Sequence, residues 1–187
     1  CTQCADMETI LSLPVATVKL LFSGIFLISA WQKFADPSGF RVVLKGYQIL
    51  PDGWLGTAAI AIASLELVLG TALLTPQWSE IALLGVAALL LLYLAVMWRS
   101  LRAGRSDIDC GCSGAAGSSG INTLLLVRNL LLAAVALVAW GVPGPAAYDP
   151  RLWAIAFLGA VVLLLLFHAC NQLIANHDMR GRLSHHA

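Results

Sequence analysis

Residues 81–98 read Ile-Ala-Leu-Leu-Gly-Val-Ala-Ala-Leu-Leu-Leu-Leu-Tyr-Leu-Ala-Val-Met-Trp, eighteen positions without a charge. A bilayer core about 30 Å thick is crossed by about 20 residues rising about 1.5 Å each in a helix. The run is continuous, whereas a barrel strand alternates apolar and polar positions. This stretch therefore reads as a membrane-spanning helix. Four more of the same kind lie around it, at about 14–31, 54–75, 121–140 and 152–174. The expectation is an all-α polytopic bundle of about five spans, forming one membrane domain over residues 1–187.

Composition agrees. Hydrophobic residues make up 59% of the 187 and charged residues 11%, where a soluble domain carries about 25% charge. Mean hydropathy is +0.84. These values exclude a disordered chain and a soluble enzyme with a peripheral membrane patch. Eleven Lys plus Arg against ten Asp plus Glu leave a formal charge of +1, so no basic excess supports a nucleic-acid partner. All six tryptophans (Trp31, Trp54, Trp78, Trp98, Trp140 and Trp153) fall at or beside span ends, the headgroup level that indoles favour.

The connections differ in kind. Thr75 to Glu80 is short and reads as a tight turn between antiparallel spans; Gly141 to Pro150 is rich in glycine and proline. Between Asp36 and Pro51, the residues Phe40, Val43, Leu44, Tyr47 and Leu50 recur at helical spacing, with Arg41, Lys45 and Gln48 elsewhere on the wheel. That pattern predicts a short helix lying in the interface. Five spans put Lys33, Arg41, Lys45, Arg99, Arg102, Arg105, Arg180 and Arg182 on one side and Arg151 on the other. The positive-inside rule then sets the N-terminus outside and the C-terminus in the cytoplasm.

Five cysteines carry the candidate chemistry. Asp109-Cys110-Gly111-Cys112 holds two thiols around one glycine, whose backbone freedom lets both converge on one sulfur, metal or partner. Cys1 and Cys4 form a C-x-x-C, a second candidate redox pair; lipid modification of Cys1 is the alternative and would consume a thiol. Cys170 and His168 sit near the inner end of the fifth span, as packing residues or as accessories to the Cys110/Cys112 face. His177, His185 and His186 read as solvated residues of a polar tail.

Three charges fall inside spans: Lys19, Glu66 and Arg128. Each costs about 2.5–3.5 kcal/mol at a helix centre on insertion scales. A Glu66–Arg128 pair is expected, with Lys19 as the rival partner. Such a pair serves either helix packing or a proton or quinone site.

Trp31-Gln32-Lys33-Phe34-Ala35-Asp36-Pro37, Phe40, Tyr47-Gln48-Ile49-Leu50-Pro51 and Glu66-Leu67 with Gly70 resemble the MauE/DoxX-like membrane proteins. Asp107-Ile108-Asp109-Cys110-Gly111-Cys112 and Val127-Arg128-Asn129 resemble the most recognisable stretch of the methylamine utilisation protein MauE family. The resemblance spans about Val15 to Asn171. It departs at Ser113, where the family often carries a bulky Phe, and the Cys1/Cys4 pair lies outside its pattern. It implies a redox-associated multi-pass protein of the bacterial inner membrane. The implied role is maturation of the methylamine dehydrogenase small subunit, an exported protein with disulfides and a quinone cofactor. The function read from residues and resemblance together is thiol–disulfide exchange by Cys110 and Cys112. Its partners are membrane lipid and a thioredoxin-like periplasmic protein or exported client. No metal site is assigned, and a quinone is the candidate cofactor. A soft-metal carrier using the same thiolates and a membrane chaperone without chemistry remain as other readings.

Overall fold

A computed structural model describes the backbone of residues 2–104, 123–142 and 150–184, and side chains over 12–104, 123–142 and 150–173. Six α-helices follow in order: α1 (Thr2–Ala35), α2 (Pro37–Tyr47), α3 (Leu55–Ala72), α4 (Ser79–Arg102), α5 (Thr123–Trp140) and α6 (Pro150–Ser184). A 3-10 turn, Asp52–Trp54, leads into α3. No strand occurs among the described residues. Five of the helices are long and apolar enough to cross a membrane: Ser12–Ala35, Asp52–Ala72, Ser79–Arg102, Thr123–Trp140 and Pro150–Leu173. The protein is a multi-pass helical membrane protein.

Two helices run further than the expected spans. Pro14 was read as a start, since proline is tolerated in a helix's first turn and disfavoured inside. Here α1 passes through it. At the other end α6 continues to Ser184, so residues expected as a polar tail are helical.

Buried positions on α1 are Ser12, Ala16, Lys19, Ser23, Phe26, Ala30 and Lys33, at alternating steps of four and three, with Val15 and Phe22 beside them. That stripe meets α3 and α6 on either side of α1. Close approach to α3 depends on Gly70, where an added Cβ would lie 3.0 Å from the Leu27 side chain and 3.3 Å from its backbone nitrogen. Ser23 Oγ donates to the Gly70 carbonyl at 2.8 Å, the kind of interhelical bond that joins helices in lipid. Leu83, Val86 and Leu90 of α4 fill the centre with Phe22 and Phe26, while α5 closes on α4 through Ala133, Ala136 and Ala139. Beyond the end of α4 at Arg102, Gly104 turns the chain with a φ of +72°, a left-handed conformation natural to glycine.

Sequence reading anticipated α2, but the helix stops at Tyr47, where Gln48 turns left-handed, so Leu50, expected on the same face, lies beyond its end and is exposed. Phe40 and Tyr47 are buried, Val43 and Leu44 half-buried, and Arg41 and Lys45 exposed. Asp36 caps it, its carboxylate accepting from the Gly39 amide at 2.9 Å and the Ser38 hydroxyl at 2.7 Å; Pro37 follows at the first helical position. The Gly39 amide foremost, then the Ser38 hydroxyl, holds the Asp36 carboxyl below its usual range. The stabilisation this cap gives α2 is complete above the ordinary carboxylate pKa and is lost as the pH falls through the lowered value. Protection of the Gly39 amide against hydrogen exchange, taken relative to its intrinsic rate at each pH, should fall over that acidic window in the parent. In Asp36→Ala it should already be low at neutral pH, with the acid-dependent step gone.

Candidate functional site

Chain direction puts the C-terminal ends of α1, α4 and α6 and the N-terminal ends of α3 and α5 together. Toward this end the bundle holds Lys33, Glu66 and Arg128, while Lys19 lies toward the other. Lys33 Nζ lies 2.8 Å from both Glu66 carboxylate oxygens and 2.6 Å from Ser29 Oγ. Tyr93 of α4 donates its hydroxyl to Glu66 Oε1 at 2.6 Å. The ion pair is sealed, with Lys33 5% and Glu66 2% exposed. The Lys33 ammonium also stands 5.1 Å from the Phe40 ring centre, a cation–π contact that ties α2 to the pair. Thus α1, α2, α3 and α4 converge on one ion pair.

Beside the pair is a cavity of about 40 Å³, lined in part by Ser29, Gln32, Glu66, Tyr93, Arg128, Asn129 and His168. The rest of its wall is apolar, from Ile25, Phe26, Leu90 and Leu132 among others, and its size suits about one water. Arg128 lies on its α5–α6 side. Its guanidinium donates to the Asn171 side-chain oxygen Oδ1 and lies 5.4 Å from the Phe167 ring centre. Its buried Nε has no protein acceptor. Asn129 is buried with its amide 3.8 Å from Met97 Sδ.

The expected Glu66–Arg128 pair does not form. Both residues border the same cavity, but Glu66 is taken by Lys33 and Arg128 by Asn171. Lys19 is not the rival either: fourteen positions down α1, it donates to Ser79 Oγ at 2.9 Å. Lys33 is the residue that sequence reading assigned to a loop. The signal was present, because Lys33 continues the four-three stripe of α1. Reading the span as ending at Trp31 hid it. His168 faces the cavity, whereas Cys170 is exposed and unpaired. Cys1, Cys110 and Cys112, and the side chain of Cys4, lie outside the described residues. The segment bearing Cys110 and Cys112 joins Gly104 to Thr123, and both flanking helices reach the end that holds the charges. No group of three metal-ligating side chains occurs among the described residues.

Five spans, an amphipathic helix folded over one end and a tyrosine-linked Lys–Glu pair beneath it define a compact polytopic membrane protein with a polar intramembrane centre. The model of the methylamine utilisation protein MauE family matches residues 11–142, and the chain belongs to that family. The match takes in Lys33, Glu66, Tyr93, Cys110, Cys112 and Arg128; Cys1, Cys4, His168 and Cys170 lie beyond it. Similar proteins include methylamine utilization protein MauE of Paracoccus denitrificans, 26% identical over 88% of this chain and 93% of the relative. The protein of that name from Methylophilus methylotrophus is 30% identical over 90% of both. That from Methylorubrum extorquens is 28% identical over 88% and 90%. No solved structure matches the chain.

Breaking a buried pair strands a charge and costs about 3–5 kcal/mol. Lys33→Gln and Glu66→Gln should therefore each lower thermal stability in detergent strongly. The double replacement should cost clearly less than their sum. Arg128→Gln combined with Glu66→Gln should come closer to additivity, since the two share a cavity but no bond. A cycle coupling Glu66 to Arg128 more strongly than to Lys33 would contradict the observed pairing.

Proposed function

We propose that this is a bacterial inner-membrane protein of methylamine metabolism that supports disulfide formation in an exported client through thiol–disulfide exchange. The supporting observation is that the family match includes Cys110-Gly111-Cys112, on a segment joined to the charge-bearing end of the bundle. By resemblance the client is the methylamine dehydrogenase small subunit. In the oxidising direction a client thiolate attacks one sulfur of a protein disulfide. A mixed disulfide forms and the second protein cysteine leaves as thiolate. The client's other thiol then attacks the mixed disulfide, so the client departs oxidised and both protein cysteines are reduced.

With Lys33 inside the bundle, Arg41, Lys45, Arg99, Arg102, Arg105, Arg180 and Arg182 still oppose Arg151 alone. The bias supports an outside N-terminus and a cytoplasmic C-terminus. Cys110 and Cys112 then face the cytoplasm, and Cys1 and Cys4 face the client or its thioredoxin-like partner across about 30 Å of hydrocarbon. Direct exchange between the pairs is excluded at that separation, so a membrane-dissolved electron carrier or a partner must link them. Lipid is the remaining contact.

A reporter active only in the periplasm, fused after Ala187, should give no signal; a strong signal would reverse the orientation. For the chemistry, Cys110→Ser and Cys112→Ser each leave one thiol without its resolving partner. Each should accumulate a reducible adduct with a protein on non-reducing gels of acid-quenched cells. The double replacement should trap nothing and abolish client maturation while the protein stays in the membrane. No adduct from either single variant, together with metal bound to the parent protein, would replace exchange with soft-metal carriage.

A further inference from the structure

An open groove of about 800 Å³ runs along the contact between α2 and α3. Its wall changes character with depth. Arg41 and Lys45 of α2, Asp52, and Thr57 in the first turn of α3 give it charged and polar groups at its outer end. Ile60 and Ala61 lie further along α3, Ala61 about 9 Å from the start of that helix. Val42 and Ile60, 71% and 55% accessible, line the groove with bare apolar side chains. Trp54, exposed between the two parts, marks the headgroup level.

Arg41 is held ready in this groove. A Cβ at Gly56 would stand 3.3 Å from both Cζ and Nη2 of Arg41, so the glycine leaves room for the guanidinium to lie against α3. Among the described residues nothing accepts a hydrogen bond from that guanidinium, and its five donors are unspent. Lys45 meets Asp52 at 3.4 Å, with both side chains exposed, a contact that leaves the ammonium donors to spare. Two cations against one carboxylate give the groove a net positive charge.

These features choose the occupant. A guanidinium offers parallel donors that match two phosphate oxygens, and the apolar floor takes a hydrocarbon chain, so the ligand is an amphiphile with a phosphate. Phosphatidylcholine and phosphatidylethanolamine carry that phosphate too, but their headgroups end in a cation that Lys45 repels. A headgroup ending in hydroxyls brings no such charge and offers hydrogen bonds to Asp52. Basic pockets between spans are where anionic headgroups bind.

We propose that the Arg41 groove is a selective site for one phospholipid of net negative charge, its phosphate on Arg41 and an acyl chain along Val42, Ile60 and Ala61. Unlike the boundary lipid that every span meets, this lipid is chosen by its headgroup. It bridges α2 and α3, and so holds α2 in its seat over the Lys33 ammonium.

The test is native mass spectrometry of the full chain released from detergent, offered equimolar phosphatidylglycerol and phosphatidylcholine with the same acyl chains. One phosphatidylglycerol should be retained preferentially and saturably, and it should raise the melting temperature where phosphatidylcholine does not. Arg41→Gln should weaken retention about fivefold, the worth of one cation near an anionic surface. Arg41→Lys should restore only part of this, since an ammonium has no fork. Gly56→Val changes no charge but displaces the guanidinium, and should weaken retention as well. Arg99→Gln removes an equal charge at the same end of the bundle, outside the groove, and should leave retention unchanged. Phosphatidylglycerol with a diazirine on its acyl chain should label peptides within residues 41–61 of the parent, a readout that needs no variant to fold. Equal retention of both lipids, an Arg99→Gln loss as large as that of Arg41→Gln, or labelling confined to other segments would overturn the site. Displacement of the lipid by inorganic phosphate at the same concentration would make this a site for the free ion and overturn the lipid reading.

Discussion

One carboxylate organises this bundle. Helices in lipid gain little from burying apolar surface against each other, because the acyl chains are equally apolar. Register must then come from packing and from polar contacts. Glu66 supplies the strongest of these: Lys33 from α1 and Tyr93 from α4 both donate to it, and Ser29 takes the ammonium's remaining bond. Ten residues away along α1, Ser23 bonds the Gly70 carbonyl, so α1 and α3 are pinned at two levels. Once these are set, Phe40 comes over the Lys33 ammonium and α2 has a fixed seat.

The outer surface shows the complementary rule. α6 packs on α1 through small residues, with Ala156 and Ala160 buried and Gly159 against Thr17. Another face of α6 turns outward, with Ile155, Phe157, Leu158, Val162, Leu165 and Leu166 exposed. In water such a face would mark a missing partner; in a bilayer it is the lipid boundary. Trp31, Trp54, Trp78, Trp98 and Trp140 are all exposed near helix ends, Trp31 most of all at 74%.

Much of this was legible in the residues. Run length and lack of alternation gave the helical membrane class, and the spacing of Phe40, Val43, Leu44 and Tyr47 gave α2 with its inward face. Glu66 and Arg128 were found because charge in an apolar run is conspicuous. Their partners were not found, because pairing depends on helix offset, which composition does not encode. α1 and α3 are staggered so that Lys33, two residues from the end of its helix, reaches Glu66 eleven residues into α3. Judged by distance from its own helix end, Lys33 belongs to a loop; judged by its place in the four-three stripe of α1, it belongs to the core. Periodicity was the better guide. The cysteine chemistry was legible only as residue types and family likeness, since four of the five cysteines have no described side-chain placement.

Arg128 makes the last step in the argument. Lys33 and Glu66 cancel, so the centre of the bundle carries the Arg128 charge without a protein carboxylate bonded to it. Its direct partners among the described residues are neutral, the Asn171 side-chain oxygen Oδ1 and the Phe167 ring face. A lysine would serve poorly here. Its compact ammonium is strongly hydrated and has no plane to lay on a ring, whereas guanidinium is delocalised, more weakly hydrated and carries five donors. The buried Nε, which no protein atom accepts, borders a helix pair whose polar side chains line the small cavity shared with Glu66. The bundle therefore places a fixed positive potential beside a neutralised carboxylate, at the end from which the Cys110/Cys112 segment departs. That potential favours electron-rich oxygen or sulfur over cations in the space between α5 and α6.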